Sequence, residues 1–398
     1  MKVYVKNHGC AANKAYSEML RGISNTVDNI KDADKIVINT CALKTPSEYK
    51  LSREIKEIEK KYPKKKIEIF GCLPKALPES KLKKYYASNE IDSTKIKLNF
   101  PRKKYNNLIG IVPVSEGCLG NCSFCMGKLA KGNLFSYPIK NILKEIKKQT
   151  NEGCNEIYLT SQDMGCYGFD RNTNLISLLR KVIEIPGDFL IRVGMMNPNY
   201  ALEFLDELIS IYKNKKMYKF IHIPVQSGSD RILKAMNRAY QVEDFEKVVK
   251  SLRKHIPNIT ISTDIIVGFP GETEEDFEKT YELIKKTKPE VLNLTRYWPR
   301  KGTEAAKFPN QIHSKFRKKR SRKLSKLFNK IYLETNKKWL NKDTNVLINS
   351  KGTKKNQYKG RNIYYKPIVL DSKKNILGKT VIAKIIKIND RCLTAEIN

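Results

Sequence analysis

The stretch Ser115-Glu-Gly-Cys-Leu-Gly-Asn-Cys-Ser-Phe-Cys125 places three cysteines at the spacing C-x3-C-x2-C. Three thiolates this close can hold three irons of a four-iron cluster and leave the fourth iron open to another ligand. A structural zinc site is the alternative, but it normally takes four protein ligands, and no fourth Cys or His lies nearby in the sequence. The number of ligands therefore favours an iron–sulfur cluster on Cys118, Cys122 and Cys125.

Alternating strand and helix patterns surround this stretch and continue to about residue 299. Near-continuous apolar strands separated by amphipathic helices indicate a parallel sheet covered by helices. Six such units are too few for a closed eightfold barrel, and the cysteines directly follow the first strand, at the face where such folds keep their active sites. The predicted strands are Ile109–Val114, Glu156–Thr160, Phe189–Val193, Lys219–Ile223, Thr260–Val267 and Val291–Tyr297.

A second set of three cysteines lies in the first hundred residues, where Cys10, Cys41 and Cys72 stand at equal intervals. Each follows a short Val/Ile-rich strand, and the helical patterns between the strands indicate a parallel sheet. Parallel strands deliver the residues that follow them to one edge, which suits a second cluster with an open iron. Taken singly, each cysteine reads more simply as a small buried hydrophobe. The predicted strands are Lys2–Lys6, Lys35–Asn39 and Lys66–Phe70.

The charge of the chain is strongly positive. Its 398 residues include 77 Lys and Arg against 41 Asp and Glu, a net charge of +36. Such a cation seeks polyanions, with nucleic acid the first candidate and an anionic membrane surface the second; a Lys-rich composition is the competing explanation. The chain shows neither an apolar secretory segment nor a membrane-spanning run. Nine cysteines in such a chain favour metal binding or catalysis, so we expect a cytoplasmic protein without a membrane partner.

The carboxy-terminal part combines a basic helix with a run of short strands. The segment 311–339 carries many cations beside an apolar stripe at helical spacing, so it can pack on the preceding domain and face a phosphate backbone. Short strands from Lys342 onward predict a small barrel of the OB type, whose aromatic and cationic side chains can stack bases. A solvated helix and buried tyrosines are the alternatives. The candidate RNA-binding residues are Arg317, Lys318, Arg320, Arg361 and Tyr364.

The cysteine motif, with an aromatic residue before its last cysteine, resembles the hallmark of radical S-adenosylmethionine enzymes. His8-Gly-Cys-Ala-Ala-Asn13 and Gly71-Cys-Leu-Pro74 are similar to the amino-terminal domain of the methylthiotransferase family within that superfamily. The segments beginning at Asn39, Thr160 and Gly194 resemble the archaeal and eukaryotic branch that acts on N6-threonylcarbamoyladenosine in tRNA. The resemblance covers nearly the whole chain.

The resemblance implies three domains, of which the first two are of the α/β class and the third is a β-barrel. Residues 1–104 correspond to the methylthiotransferase amino-terminal domain, a parallel α/β unit in which Cys10, Cys41 and Cys72 hold an auxiliary four-iron cluster. Residues 105–338 correspond to the radical S-adenosylmethionine domain, a (β/α)6 partial barrel with the basic helix. Residues 339–398 correspond to the TRAM domain, an RNA-binding β-barrel. His8 is a candidate neighbour of the auxiliary cluster.

The resemblance also implies the chemistry, which is methylthiolation at C2 of N6-threonylcarbamoyladenosine at position 37 of tRNA. The cofactors would be two four-iron clusters and S-adenosylmethionine, and the partner the anticodon stem-loop; the electron and sulfur donors stay unassigned. Alternatives are an enzyme for isopentenyladenosine or for a ribosomal-protein aspartate, or a non-catalytic RNA-binding iron–sulfur protein. Cys154, Cys166 and Cys392 fit no ligand spacing and read as ordinary thiols. The matching loops give Gln162, Asp163, Arg192 and Gln226 as candidate contacts to S-adenosylmethionine.

Overall fold

The computed structural model describes residues 1–42, 45–87 and 98–398. Its amino-terminal sheet has three parallel strands in the order β1-β2-β3, as the alternating patterns predict. The central strand is buried on both faces, with Ile36 and Ile38 on one side and Val37 on the other. The elements are β1 (Val3–His8), α1 (Ala11–Ile23), β2 (Lys35–Thr40), α2 (Thr45–Lys61), β3 (Lys66–Gly71) and α3 (Cys72–Ala76), with single 3-10 turns at Ile30–Asp32 and Lys83–Tyr85.

The central region begins with strand β4, which is followed by a two-stranded ribbon around the cysteine loop and then by alternating strands and helices. Six of its strands are parallel, in two hydrogen-bonded groups that follow chain order. Backbone hydrogen bonds from Ile191 to Lys216 (2.7 Å) and from Tyr218 to Ile191 (3.0 Å) join the groups. The first elements are β4 (Ile109–Pro113), β5 (Ser115–Glu116), α4 (Met126–Lys131), β6 (Phe135–Ser136), α5 (Ile139–Asn151), β7 (Glu156–Thr160), α6 (Leu175–Ile183), β8 (Leu190–Val193), α7 (Pro198–Glu203) and α8 (Leu205–Lys213).

The second half of this region completes the partial barrel. One face of the sheet packs its Ile and Val side chains against the helices in a single large core, whereas the inner face carries polar residues such as Arg192, His222 and Asp264. The predicted strand positions are confirmed to within two residues. The remaining elements are β9 (Phe220–His222), α9 (Asp230–Ala235), α10 (Val242–His255), β10 (Thr260–Val267), α11 (Glu274–Thr287), β11 (Val291–Arg296), a 3-10 turn at Glu304–Ala306 and the basic helix α12 (Ser314–Lys337).

The carboxy-terminal strands close into a small barrel in the order β12-β13-β14-β16-β15, which confirms the predicted fold class. The last strand, which the sequence pattern does not predict, pairs with both β14 and β15 and thereby closes the barrel. Trp339, just after α12, belongs to the barrel core. The strands are β12 (Asp343–Lys351), β13 (Gln357–Arg361), β14 (Pro367–Asp371), β15 (Thr380–Ile388) and β16 (Leu393–Ile397).

The small barrel docks on the amino-terminal ends of the partial barrel's strands. The amide of Lys219 donates to the Ile363 carbonyl (2.8 Å), and the Thr260 hydroxyl donates to the Tyr364 carbonyl (2.7 Å). Tyr365 holds a left-handed φ of 62° and inserts its ring next to Phe220, with ring centroids 4.6 Å apart. The docking loop therefore forms the base of the partial barrel. Within the described residues, no helix has the length and apolarity that a membrane crossing needs.

Candidate iron–sulfur and cofactor site

The Cys118–Cys125 loop is held in a tight turn by its own backbone. Gly117 has φ of 71°, and a Cβ there would lie 1.8 Å from the Asn133 carbonyl oxygen, so only glycine fits this position. The Gly120 amide donates to Cys118 Sγ (3.2 Å), and the Cys125 amide donates to the Cys122 carbonyl (3.0 Å). The predicted thiol triad therefore occupies one short turn directly after β5, and Phe124 of the motif packs against Phe269.

Arg238, a residue that the sequence motifs did not indicate, lies against this triad. Its Nη1 donates to Cys122 Sγ (2.9 Å), and its Nη2 donates to Asn197 Oδ1. Asn197 in turn donates its side-chain amide to Asp163 (2.6 Å), one of the predicted cofactor contacts. A guanidinium beside a thiol favours the thiolate, which is the form that ligates iron. The loops after β7, β8 and β9 thus converge on the cysteine turn.

Asp163 is buried beside the triad, and burial raises its pKa to about 6. Its carboxylate also accepts the Gly165 amide (3.0 Å), so it is held in one orientation. Cys166 lies within 4.8 Å of both Cys118 Sγ and the Asp163 carboxylate. A hydrogen bond between the two thiols lowers the pKa of Cys118 to about 7. Cys166 was predicted to be an ordinary thiol, but the structure places it at the site, because β7 and the cysteine loop end at the same sheet edge.

Three further residues at the strand ends carry buried polar atoms that have no hydrogen-bond partner among the described residues. They are Ser161 Oγ, Gln162 Oε1 and Gln226 Oε1. Gln226 holds a left-handed φ of 70° and is 7% exposed, so its amide is fixed inside the site. Buried polar groups are rarely left without partners unless a ligand completes them. Such atoms suit the amino, carboxylate and ribose groups of S-adenosylmethionine.

A cavity of about 260 Å³ opens beside Cys122, where a small polar ligand can approach the triad. Its wall includes Gly120, Asn197, Arg238 and Tyr240. Arg192, the fourth predicted cofactor contact, lies elsewhere. Its guanidinium stacks over Phe220 (5.3 Å to the ring centroid) and Tyr365 (5.7 Å), near the base of the partial barrel. The structure therefore brings Gln162, Asp163 and Gln226 to the cysteine edge and separates Arg192 from them.

The amino-terminal cysteines lie at one edge of the first sheet. His8, Thr40 and Gly71 are in register at the strand ends, so the cysteines that follow them share that edge. The thiols of Cys10 and Cys72 both contact Asn13 Oδ1, at 3.8 and 3.6 Å.

Asn13 is itself fixed by a buried network beneath these thiols. The Asn13 side-chain amide donates to the Thr40 backbone carbonyl (2.8 Å). The Asn13 backbone carbonyl accepts from the side-chain amide of Asn39 (2.7 Å). The Asn39 amide also donates to Ser17 Oγ (2.9 Å). Hydrogen bonds of this kind orient metal-binding loops. His8, considered as a neighbour of the cluster, instead places Nε2 3.1 Å from a Glu54 carboxylate oxygen.

The two cysteine triads are joined through packed helices. Helix α3 begins at Cys72 and packs on α4, which begins directly after Cys125. Leu73, Met126 and Ala130 belong to one hydrophobic core. Both cysteine-bearing loops therefore lead into the same helix pair.

A polar strap, defined here as residues 300–305, makes a second connection. Arg300 donates to the Ala42 carbonyl (2.9 Å), next to Cys41, and pairs with Glu48 (3.0 Å). The Ala305 amide donates to the carbonyl of Ser123 (2.8 Å), which stands between Cys122 and Cys125. The strap thus touches one loop from each triad.

Comparison with known proteins agrees with this arrangement. A model of the radical SAM superfamily matches residues 112–284, and one described as Uncharacterized protein family UPF0004 matches residues 2–92. A probable threonylcarbamoyladenosine tRNA methylthiotransferase of Pyrococcus horikoshii is 40% identical over 93% of each chain. The threonylcarbamoyladenosine tRNA methylthiotransferase of Homo sapiens is 35% identical over 96% of this chain and 71% of the human protein.

The chain belongs to the threonylcarbamoyladenosine tRNA methylthiotransferase family. Among solved structures, a radical S-adenosylmethionine methyltransferase, TsrM, of Kitasatospora setae aligns with a TM-score of 0.54. The sequences are 13% identical, and the alignment covers 77% of this chain and 75% of that one. At this identity the likeness supports the fold alone.

The predicted RNA-binding residues of the family's basic helix do not form one surface. Lys318 is exposed, whereas Arg317 donates to the Tyr297 carbonyl and stacks on Trp298 (5.2 Å). Arg320 is 6% exposed and pairs with Glu272 at 2.7 Å, which corrects the prediction for this residue. Its spacing from Leu324, Leu327 and Ile331 places it on the apolar stripe of α12, and that spacing was readable in the sequence.

The two candidates on the small barrel lie at the docking interface. Arg361 stacks on Tyr365 at 4.0 Å from the ring centroid, and the ring centroid of Tyr364 lies 5.0 Å from that of Trp339. The alternative of packed tyrosines therefore describes Tyr364 better than the RNA-binding prediction. The exposed cations of α12 remain as the candidate RNA surface: Lys315, Lys318, Lys319, Arg322, Lys323, Lys326, Lys330 and Lys337.

Proposed function

We propose that this protein attaches a methylthio group to C2 of N6-threonylcarbamoyladenosine at position 37 of cytoplasmic tRNA. The observation that carries the proposal is the 40% identity, over 93% of each chain, to a relative whose name states this activity class. The two thiol triads support it, because methylthio transfer to an inert C–H bond needs cofactor chemistry that side chains lack.

The residues divide into two cofactor sites. Cys118, Cys122 and Cys125 would hold the cluster whose open iron takes S-adenosylmethionine, and Cys10, Cys41 and Cys72 would hold the second cluster. When bound, these groups would supply the chemistry that removes the C2 hydrogen and the sulfur that replaces it, and a second S-adenosylmethionine would supply the methyl group. Ser161, Gln162, Asp163 and Gln226 would then accept and orient the polar groups of S-adenosylmethionine.

The protein's own contribution is the placement of two sites around one nucleotide. The α3–α4 contact and the strap at 300–305 hold both cysteine loops in a fixed relation. Fixing reacting groups in this way converts an encounter of three components into a step within one complex. Arg238 holds Cys122 and Asn197 in place, so the cysteine turn and the cofactor loops stay aligned.

The exposed cations of α12 would bind the tRNA backbone. This one helix carries eight of them, and contacts between such cations and phosphates make affinity fall as salt rises. The partner would be the anticodon stem-loop, whose target base must leave its stack to reach the cysteine edge. Replacing Lys318 and Lys319 with Gln is expected to weaken the binding of every stem-loop alike and to reduce its salt dependence.

The test supplies anaerobically reconstituted protein with S-adenosylmethionine, dithionite and one of three synthetic anticodon stem-loops. These carry threonylcarbamoyladenosine, isopentenyladenosine or adenosine at the target position. Mass spectrometry should show a gain of one carbon, one sulfur and two hydrogens on the threonylcarbamoyl substrate alone, with 5′-deoxyadenosine released. The variant Cys154→Ala, which removes a buried thiol outside both triads, should behave as wild type.

The other outcomes identify the other functions. Product on the isopentenyl stem-loop would assign the protein to that substrate instead. Cofactor cleavage with no RNA product, but with product on a ribosomal-protein aspartate, would indicate the protein-modifying activity. No 5′-deoxyadenosine from protein that carries its full iron would indicate a non-catalytic RNA-binding protein.

A further inference from the structure

A cavity of about 650 Å³ lies inside the partial barrel, between its inner face, helix α12 and the small barrel. Arg192, His222 and Asn293 line it from the strands, and Tyr365 and Lys366 close it from the docking loop. The sequence motifs did not indicate this cavity, and the cofactor contacts described above do not use it. It is large enough for a substituent of several heavy atoms.

The cavity contains buried cations that lack a matching anion. Lys366 is 4% exposed, and Glu290, the acidic group that acts on its ammonium, is shared with Arg253. Burial lowers the pKa of Lys366 to about 8, which leaves it mostly protonated at neutral pH. Arg192 Nε is buried without a partner in the described part of the chain. A buried charge without a partner is costly, so both groups are suited to an incoming anion.

The acidic groups around the cavity are engaged elsewhere. Glu290 pairs with Arg253 (3.2 Å) and accepts the Ile261 amide (2.9 Å). Asp390 is exposed at the rim beside the equally exposed Arg391, so their charges offset one another. The interior of the cavity therefore remains cationic, with Arg192, Arg361 and Lys366 against the carboxylate of Glu290.

Hydrogen bonds join the wall of the cavity to the cofactor edge. His222 Nε2 lies 2.8 Å from Asp264 Oδ1, and the Asn293 side-chain amide donates to the same oxygen (2.7 Å). The backbone carbonyl of Asp264 accepts the Gln226 amide (2.8 Å), and Gln226 is one of the candidate cofactor contacts. The cavity wall and the Gln226 loop are therefore parts of one hydrogen-bonded inner face, and a substituent that extends inward from a base at the strand ends would meet this face.

We propose that this cavity receives the threonylcarbamoyl substituent of the target base, with Arg192 and Lys366 offsetting its carboxylate. The inference rests on the proposed function, because it takes the substrate from there. The substituent carries one carboxylate, one hydroxyl and a urea group, so it needs cations together with hydrogen-bonding side chains. An isopentenyl group would need an apolar pocket instead. Arg192 thus becomes a specificity residue for the substrate rather than a contact to S-adenosylmethionine.

The experiment measures stem-loop affinity by fluorescence anisotropy with the reconstituted protein, without dithionite, so that no turnover occurs. The probes carry threonylcarbamoyladenosine, its carboxylate methyl ester or adenosine. Wild type should bind the free acid about tenfold more tightly than the ester, the equivalent of one charge-assisted contact. Arg192→Gln and Lys366→Gln should each reduce this preference to less than about threefold while leaving the affinity for the adenosine probe unchanged.

Several results would overturn the inference. Equal binding of the acid and the ester by the wild-type protein would show that no cation in the protein contacts the carboxylate of the substituent. Equal weakening of all three probes would assign the two cations to a backbone phosphate. The comparison of the free acid with its methyl ester uses the wild-type protein alone, so it tests the inference even if a variant folds poorly.

The experiments distinguish a failure of the cavity's proposed role from a failure of the proposed function. A wild-type enzyme that methylthiolates the threonylcarbamoyl substrate without preferring the acid would retain its function and lose the cavity's role. A clear preference for the acid in a protein that releases 5′-deoxyadenosine but forms no RNA product would support the cavity and contradict the function.

Discussion

The two cysteine triads are built in opposite ways. Cys118, Cys122 and Cys125 lie within one turn whose shape depends on Gly117 and on hydrogen bonds inside the loop. The other three cysteines follow the ends of three strands, and they share one sheet edge only because the strands are parallel and in register. The first site is thus a local motif, whereas the second is a product of tertiary structure. The second should respond more strongly to changes in the scaffold around it.

The largest expected effect separates the two triads by function. Cys118→Ala should abolish 5′-deoxyadenosine release, because the remaining two thiols cannot hold the radical-generating site. Cys72→Ala should retain cofactor cleavage and lose the methylthiolated RNA. In each variant iron should fall from about eight to about four per chain. Cofactor assays, RNA mass spectrometry and iron analysis check this prediction.

The thiol control for this comparison is Cys392→Ala, since that residue lies in the small barrel, far along the chain from both triads. It should keep its iron and both activities. If Cys72→Ala also stopped 5′-deoxyadenosine release, the two sites would not be independent, and the division of labour between them would be wrong.

A smaller effect is expected when the connection between the triads is cut. Arg300 is buried and contacts the Ala42 carbonyl and Glu48 beside the amino-terminal triad. Arg300→Ala should keep both clusters but misalign the two sites, and misplacement of reacting groups by about 1 Å can cost about 100-fold in rate. We therefore expect the yield of methylthiolated RNA per 5′-deoxyadenosine to fall by about 10- to 100-fold. Product ratios from single-turnover reactions measure the effect.

Arg320→Ala provides the matched control for Arg300→Ala. Arg320 is equally buried and also pairs with a glutamate, but it lies on α12 and contacts neither cysteine loop. It should lower thermal stability while leaving the product ratio unchanged. Equal ratios in the two variants would mean that the strap contributes only stability.

Local patterns were sufficient to predict much of the fold. Apolar runs between amphipathic helical patterns predicted nine parallel strands to within two residues, because strands covered by helices have this pattern. The sequence pattern did not predict strand β16, since Leu-Thr-Ala-Glu-Ile is short and one of its two partners, β14, is not its neighbour in the chain. The packing of the small barrel on the partial barrel also depends on contacts between residues far apart in the chain. The sequence pattern did not predict it and indicated Arg361 and Tyr364 as RNA-binding residues.

The candidate site likewise combines residues that the sequence indicates with residues that only the tertiary structure brings together. Cys118, Cys122 and Cys125 follow from spacing alone, and Asp163 and Gln226 follow from their positions after strands. Arg238 and Cys166 carry no such signal, because each reaches Cys122 or Cys118 only after separate loops meet at one sheet edge. Arg192 stands one residue before the end of β8 and not in the loop after it. Its side chain therefore lies in the interior of the barrel.

The smallest expected effect tests whether the scaffold tunes the amino-terminal triad. Asn13 is 3% exposed, and its Oδ1 contacts the thiols of Cys10 and Cys72 while its amide is tied to the Thr40 carbonyl. Removing such a partner typically costs about 10- to 100-fold in metal affinity. Asn13→Ala should therefore lose iron from this site to a chelator about tenfold faster, with the Cys118 triad unaffected. Asn29→Ala, which removes an exposed asparagine that caps a 3-10 turn, is the control. Equal iron loss from both triads would show that Asn13 supports the whole fold, and the contrast between a local and a tertiary site would lose its basis.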